Sequence, residues 1–249
     1  MIYFISDVHL GVLDRQKDKL REDLLLKLLD KISLDVEKIY LVGDIFDYWF
    51  DYKTVIPKYF YRTLTKLHDI RRDVCEIEFL MGNHDFGHRD FFEKELNIIV
   101  HNGDIEREHH GKKFYLAHGD GKNPDDKGYL MLKKIMRNET VLKFYMKLHP
   151  NIGISLASGS SKESRKYTDK KHFGEGDSMF DFAKTKIDEG FDYVIMGHRH
   201  KASIQTYNRG KYLNIGEWIK NPSIAAFDNN DMYLINVNEF LSENNSITG

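Results

Sequence analysis

The residues best suited to chemistry are carboxylates, amides and imidazoles that follow short apolar stretches. Asp7 and His9 stand two residues apart after one such stretch. The same spacing recurs at His198 and His200. Residues two apart in an extended segment point the same way, so each pair can face one ion. Three further candidates follow other apolar stretches, namely Asp44, Asn83 and His118.

These donor types and their number indicate a metal site. Carboxylate and amide oxygens and imidazole nitrogens are the ligands that hard or borderline divalent ions take. Seven such ligands are too many for one tetrahedral site and favour two ions that share a bridging carboxylate. Two ions about 3.5–4 Å apart are the arrangement used for in-line displacement at phosphorus. Gly43, just before Asp44, lets the backbone turn sharply and approach an ion.

Short strands and helices must position these residues. The apolar runs predict strands at Ile2–Ser6, Ile39–Val42, Ile77–Met81, Phe114–Ala117 and Tyr193–Met196, and several more within Ser203–Val237. Helices are predicted at Lys17–Ile32, Pro57–Ile70 and Ser178–Asp188. Strand–helix alternation with a β-rich tail indicates an α/β layered fold. In such folds, sites form beyond the carboxyl ends of the strands, which is where all seven candidates stand.

Composition excludes several classes of protein. No run approaches the ~18 apolar residues of a membrane-spanning helix, and the first residues do not have the pattern of a signal peptide. The single cysteine, Cys75, excludes an internal disulfide framework and favours a cytoplasmic location. The net charge of −2 argues against nucleic-acid binding.

The charge is nevertheless unevenly distributed. Residues Lys122–His172 hold 12 Lys and Arg against 5 Asp and Glu, whereas the rest of the chain is acidic. Such a segment is either an ordinary solvated lysine face or a patch that attracts an anionic ligand or membrane surface.

The motifs resemble those of the calcineurin-like metallophosphoesterase superfamily. The matching blocks are Asp7-Val-His9, Gly43-Asp44, Gly82-Asn83-His84-Asp85, His118-Gly119-Asp120 and Gly197-His198-Arg199-His200. The resemblance implies one α/β domain over residues 1–249, a double β-sheet sandwich flanked by helices, with a basic helical lid inserted at 122–172. It implies two divalent ions, Mn²⁺ first and Fe or Zn as alternatives. The implied ligands are Asp7, His9, Asp44 and His200 for one ion, and Asp44, Asn83, His118 and His198 for the other.

Within that superfamily the chain is most similar to the UDP-2,3-diacylglucosamine pyrophosphatases of lipid A biosynthesis. The similarity is carried by Leu41–Trp49, His118–Tyr129, Ser161–Arg165 and Gly216–Trp218. It implies hydrolysis of UDP-2,3-diacylglucosamine to UMP and 2,3-diacylglucosamine 1-phosphate. The implied substrate-binding residues are Asn83, His84, Asp126, Tyr129, Ser161, Arg165 and His198.

One residue departs from that pattern, because the well-known branch of the family has arginine where this chain has His84. A general acid helps more when a basic alkoxide leaves than when a phosphate leaves, so His84 slightly favours an ester substrate. In either case it can stabilise charge on the phosphoryl oxygens. We predict His84 as a catalytic residue and Asp85 as the carboxylate that orients it. The alternatives are a nucleotide, phosphodiester or phosphoprotein phosphoesterase and, least favoured, a non-catalytic scaffold.

Apolar residues interleave with lysines through Tyr129–Leu148, which predicts one or two amphipathic helices. They either pack on the body or form a lid with an apolar side for acyl chains and a cationic side for phosphates. Asn151–Ser161, with its glycines and serines, is predicted as a flexible turn in that lid. The expected partners are a lipid-linked nucleotide and, transiently, an anionic membrane surface at the inner face of the plasma membrane.

Overall fold

The computed structural model describes residues 1–123, 127–156, 159 and 178–243. Its strands are β1 (Ile2–Ile5), β2 (Lys38–Val42), β3 (Glu76–Leu80), β4 (Ile99–His101), β5 (Ile105–His109), β6 (Lys112–Ala117), β7 (Tyr193–Met196), β8 (Ser203–Tyr207), β9 (Gly210–Asn214), β10 (Ser223–Phe227) and β11 (Met232–Asn236). Its helices are α1 (Arg15–Ile32), α2 (Tyr61–Asp73), α3 (Phe91–Lys94), α4 (Lys127–Met136), α5 (Glu139–Tyr145), α6 (150–156), α7 (Ser178–Asp188) and α8 (Val237–Ser242).

The strands form two sheets. The first has the order β11-β10-β1-β2-β3-β4 and the second the order β5-β6-β7-β9-β8. In the first sheet β1 to β4 run parallel, and in the second β6, β7 and β9 do so. The carboxyl ends of the parallel strands within each sheet therefore reach one edge, where polar residues can meet.

Alternation along the strands sorts apolar side chains into layers. In β1, Ile2 and Phe4 point into the core between the two sheets, where they meet Phe114 of β6. Tyr3 and Ile5 point the other way, into a second core with α1 and α2. The outer face of the second sheet is covered by α7. The predicted double-sheet sandwich flanked by helices is confirmed, since period-2 side chains bury both faces of each sheet.

Some local predictions differ from the structure. The predicted helix Pro57–Ile70 begins as a 3-10 turn at Lys58–Phe60 and continues as α2 to Asp73. The flexible turn predicted from Asn151 is wrong as far as residue 156, which is helical in α6. Gly153 lies there because a Cβ would overlap the Tyr52 hydroxyl, so this glycine permits close packing. Residues 157, 158, 160 and 161 of that predicted turn lie outside the described residues.

The amphipathic helices predicted within Tyr129–Leu148 are present. Helices α4 and α5 occupy most of Tyr129–Leu148. Met136, Leu142 and Tyr145 pack against a small cluster that includes Phe50 and Phe86 of the body. Among the described helices, we find none with the length and apolar character needed to cross a bilayer.

Candidate metal centre

The predicted ligand residues lie in loops directly after β1, β2, β3, β6 and β7. Five of them hold the left-handed backbone conformation, with φ values between 50° and 68°: Asp7, His9, Asp44, His198 and His200. Non-glycine residues in this region cost about 1–3 kcal/mol each and persist only where the surroundings hold them. Here the loops hold each other, because the Asp7 and His9 amides donate to the Gly43 and Asp44 carbonyls at 3.1 and 2.9 Å. The strain therefore concentrates at one site.

Glycines allow these loops to approach one another. A Cβ at Gly43 would overlap the His118 ring, and one at Gly197 would overlap the Asp7 carboxylate. Gly43 also has a φ of +82°, which a side chain rarely adopts. Glycine therefore precedes Asp44 and His198 for a steric reason. Its missing side chain leaves room for the His118 imidazole in one loop and for the Asp7 carboxylate in the other.

One group of donors forms around Asp7. The His200 Nε2 atom lies 3.3 Å from Asp7 Oδ1, and His9 Nε2 lies 3.7 Å from the same oxygen. The two imidazole Nε2 atoms are 3.2 Å apart. The other oxygen of Asp7 accepts the Ser6 hydroxyl at 2.6 Å, which fixes the carboxylate plane. Three ligand atoms therefore face one point.

A second group forms around Asp44. Its Oδ2 atom lies 3.3 Å from His118 Nε2, 3.7 Å from His9 Nε2 and 3.9 Å from His84 Nε2. The Asn83 Oδ1 atom is 3.1 Å from His118 Nε2. Asp44 thus stands between the two groups, where a bridging carboxylate was predicted.

His198 lies at the rim of the second group. Its ring centroid is 5.3 Å from that of His118 and 6.3 Å from that of Tyr129. Its backbone amide donates to Asp7 Oδ2 at 3.0 Å. Burial and the charge of His118 lower the pKa of the His198 imidazole to about 4, so its ring nitrogens can act as neutral ligands.

The donor set fits divalent ions. Three triads have ligand atoms within 4.8 Å of one another: Asp7–His9–His200, Asp7–Asp44–His118 and His9–Asp44–His84. Mixed carboxylate and imidazole sets of this kind suit Mn²⁺, Fe²⁺ and Zn²⁺. All seven predicted ligand residues lie in this centre, with Asn83 and His198 contacting it through His118.

Electrostatics in the metal-free protein lead to the same interpretation. Burial opposes charge on His9 and His118, but nearby carboxylates prevail and raise their pKa values to about 9 and about 10. Burial by itself would raise the pKa of the Asp44 carboxyl. The positive charges of His118 and His84 outweigh that effect and hold the pKa well below its usual range. Protons on the imidazoles therefore balance the buried carboxylates, and cations would replace those protons.

Asp85 does not have the predicted position beside the His84 ring. Its Oδ1 accepts the Gly82 and Asp44 amides at 2.8 and 3.1 Å, and its Oδ2 accepts the Ile45 amide at 2.8 Å. Adjacent side chains in an extended loop point to opposite sides, so Asp85 turns into the body as His84 turns to the site. Asp85 therefore ties together the loops after β2 and β3.

Asp47 is a site residue that the sequence reasoning missed. Its Oδ1 lies 3.6 Å from Nδ1 of His84 and 3.6 Å from Nδ1 of His9. The Asp47 side chain is fully buried. A signal existed, because Asp47 is a carboxylate flanked on both sides by apolar and aromatic residues just after Asp44.

Helices α4, α5 and α6 border a cavity beside this centre. The cavity has a volume of about 370 Å³, and one wall includes Asn83, His84 and Asp47. Its other wall comes from α4, α5 and α6: Tyr129, Leu132, Lys133, Met136, Arg137, Val141, Leu142, Tyr145 and Leu156. Tyr129, which the sequence predicts as a substrate-binding residue, lines this cavity. Asp126, Ser161 and Arg165 lie outside the described residues.

Comparison with known proteins gives consistent matches. The family model described as Calcineurin-like phosphoesterase matches residues 1–202. A UDP-2,3-diacylglucosamine hydrolase of Porphyromonas gingivalis is 34% identical over 94% of this chain and 96% of its own. One of Haemophilus influenzae strain PittGG is 25% identical over 91% of this chain and 94% of its own. Among solved structures, the E. coli phosphoesterase Yfce aligns with a TM-score of 0.48 at 13% identity, covering 96% of this chain and 93% of that one.

Proposed function

This chain belongs to the calcineurin-like phosphoesterase family of metal-dependent hydrolases, and on that basis we propose that its substrate is UDP-2,3-diacylglucosamine. The products are UMP and 2,3-diacylglucosamine 1-phosphate, in the synthesis of lipid A. The similarity to hydrolases of that name from two bacteria, which extends over nearly the whole chain, supports this substrate.

The observation that carries the lipid assignment is the cavity of about 370 Å³ beside His84. Its lid wall is mainly apolar, with Leu132, Met136 and Leu142 on it. A site for a small, fully polar ester has no use for such a wall, whereas acyl chains gain about 25 cal/mol per Å² of apolar surface removed from water. The cavity thus joins an apolar compartment to a metal centre.

Two divalent ions fit the donor groups, and we propose Mn²⁺, with Fe or Zn as alternatives. One ion takes Asp7, His9, Asp44 and His200. The other takes Asp44, Asn83, His118 and His198. Such ions, when bound, polarise a phosphoryl group and make water acidic enough to serve as a nucleophile at neutral pH.

The side chains of this chain have distinct tasks in the reaction. The water oxygen bonds to the phosphorus that bears uridine, and the bond from that phosphorus to the bridging oxygen breaks. His84 Nε2 faces Asp44 Oδ2 at 3.9 Å, where it can donate a hydrogen bond to a phosphoryl oxygen as charge builds up. Because a phosphate leaves, the leaving group needs no full proton transfer. Asp47 keeps the ring of His84 in place from the Nδ1 side.

The exposed side of the lid supports contact with an anionic membrane surface, where a diacyl substrate resides. Met131 and Phe144 are 68% and 65% exposed. Lys143 and Lys147 lie on the same segment. Exposed apolar side chains among lysines are typical of a face that binds an anionic interface. Residues 122–172 therefore act as a basic lid on the one catalytic domain, and the protein works at the inner face of the plasma membrane.

The deciding experiment is an assay of purified protein with Mn²⁺ on UDP-2,3-diacylglucosamine, UDP-N-acetylglucosamine and bis(p-nitrophenyl) phosphate. We expect the diacyl substrate to have the highest kcat/KM, with UMP labelled when the reaction runs in ¹⁸O-water. The Asp44→Asn variant is the control for contaminating hydrolases. Turnover of the simple ester alone would remove the lipid assignment, and metal-free protein on purification would favour a scaffold.

A further inference from the structure

Two side chains of α4 and that of Arg137, the residue directly after the helix, converge on one buried carboxylate. The Asp120 Oδ2 atom accepts the Tyr129 hydroxyl at 3.1 Å and lies 2.7 Å from Lys133 Nζ and 3.6 Å from Arg137 Nη2. The three residues are spaced four apart, and the Arg137 amide donates to the Lys133 carbonyl at 3.0 Å, so the helical spacing puts all three on one side. Asp120 is 4% exposed and follows His118 of the metal centre by two residues. The lid helix is therefore fixed to the same loop that supplies a metal ligand.

Arg137 ties this cluster to the neighbouring loop. Its Nη2 donates to the Gly82 carbonyl at 2.8 Å, and its Nη1 donates to Asn102 Oδ1 at 3.3 Å. Gly82 directly precedes Asn83. The Arg137 guanidinium is thus held close to Asn83 and His84, which line the cavity.

The cluster has more positive than negative charge. Within the part of the chain that the structure describes, Lys133 and Arg137 pair with one carboxylate, that of Asp120, and their side chains are only 27% and 15% exposed. An ammonium has three donors, and Lys133 uses two of them on Asp120, at Oδ2 and at the carbonyl oxygen 2.9 Å away. A largely buried charge without a full counter-charge is costly unless an anion joins it.

Both cations line the cavity that Asn83 and His84 also line. We propose that Lys133 and Arg137 form a subsite for the second phosphate of a diphosphate substrate, the one that leaves. This subsite rests on the proposed function. A phosphate held at the metal centre places its neighbour one bridging oxygen away, and Lys133 and Arg137 line the cavity that adjoins that centre. The subsite selects diphosphate diesters over single phosphate esters.

Anion binding tests this without any substrate turnover. Isothermal titration calorimetry compares inorganic pyrophosphate with inorganic phosphate on Mn²⁺-loaded protein, at a free Mn²⁺ concentration kept constant. Wild type should bind pyrophosphate about 100-fold more tightly than phosphate, since a second anionic group meets charge-assisted donors. Lys133→Gln should lower that preference about tenfold, and Lys133→Arg should restore most of it.

The matched control is Lys134→Gln, which removes the same charge from an exposed position on the same helix. Its preference should stay within about twofold of wild type, because an exposed charge is screened. Arg137→Gln should act like Lys133→Gln, provided that its melting temperature shows that α4 stays attached. Equal affinity for the two anions in wild type, or an unchanged preference in Lys133→Gln, would overturn the subsite.

The two proposals fail separately. If UDP-2,3-diacylglucosamine is not hydrolysed but Lys133→Gln loses the pyrophosphate preference, the subsite stands and the lipid substrate does not. If the lipid is hydrolysed and Lys133→Gln keeps the preference, the subsite alone is wrong.

Discussion

An oxygen of Asp47 lies 3.6 Å from Nδ1 of His84, with the Asp47 side chain wholly buried and that of His84 7% exposed. A buried carboxylate this close to an imidazole favours one orientation of the ring, and loss of the carboxylate partner of a metal-bound imidazole costs about 10–100-fold in metal affinity or activity. Asp47→Asn should therefore lower kcat by about 10–100-fold at saturating Mn²⁺. Steady-state kinetics on bis(p-nitrophenyl) phosphate measure this.

The double variant with His84→Asn separates orientation from a general effect. If Asp47 acts through His84, adding Asp47→Asn to His84→Asn should cost less than about threefold more. Multiplicative losses would show that Asp47 acts elsewhere, as at His9, whose Nδ1 is also 3.6 Å away. Saturating Mn²⁺ in both assays keeps metal loss from imitating the result.

Asp85, unlike Asp47, should contribute to the stability of the fold. Its two oxygens accept four backbone amides, those of Gly82, Asp44, Ile45 and Phe46. Asp85→Asn places an amide group against two of those donors, so the free energy of unfolding should fall by about 3 kcal/mol. Urea denaturation of the metal-free proteins gives the value, with Asp90→Asn as the control at an exposed carboxylate. A loss of activity without a loss of stability would contradict this role.

The parallel strands and the metal residues were predictable because each is local. A buried strand such as β2 is a short apolar run followed closely by a polar residue, and this pattern recurs at each site loop, with a glycine before the polar residue after β2, β3 and β7. The edge strands β4 and β5 were missed because they lack this local pattern. β4 has three residues, and β5 has charged residues at alternate positions on its exposed side, so neither shows an apolar run.

The partner of His84 could not be found in this way. Sequence proximity favoured Asp85, but the contact comes from Asp47, in a loop after a different strand. Which carboxylate approaches the ring depends on how the loops after β2 and β3 pack, and that packing is set by bonds between distant residues. The His84 amide, for example, donates to Asp44 Oδ1 at 2.9 Å.

Metal binding should be strongly pH-dependent. In the metal-free protein the pKa values of His9 and His118 are about 9 and about 10, above the ordinary value of 6.5. Both rings therefore carry protons at neutral pH, and an ion must displace them. Mn²⁺ affinity should rise from pH 6 to pH 9, with up to about two protons released per protein. Calorimetry in buffers of different ionisation enthalpy counts the released protons. A Mn²⁺ affinity that does not change with pH would show that His9 and His118 are not protonated in the metal-free protein.

The interactions of His9 and His118 with the neighbouring carboxylates also determine how the stability of the metal-free protein changes at high pH. Because the folded pKa values lie above the unfolded value, their stabilisation is complete below pH 6.5 and is lost as pH rises through 9 to 10. The melting temperature of metal-free protein should therefore fall above pH 9, and Mn²⁺ should reduce that fall. Melting curves with and without chelator test this, and parallel pH profiles would contradict it.

The exposed lid residues should matter for membranes. Phe144 is 65% exposed on α5, and its transfer into an interface should contribute about 1 kcal/mol. Phe144→Ser should weaken binding to vesicles that contain anionic phospholipid by about fivefold. Leu20→Ser is the control, since Leu20 is 70% exposed on α1 outside the lid. Equal effects of the two changes, or equal binding to neutral vesicles, would remove the lid from membrane contact.

The cavity wall should determine which acyl chains are accepted. Met136 lines the cavity and packs near Phe50 and Phe86, so a larger side chain there takes up space that an acyl chain would fill. Met136→Trp should raise KM for a long-chain UDP-2,3-diacylglucosamine about tenfold more than for a short-chain analogue, because overpacking costs about 1–3 kcal/mol. Leu34→Trp is the control, since Leu34 is 85% exposed and lies outside residues 122–172. Equal changes in KM for both chain lengths would show that the acyl chains lie elsewhere.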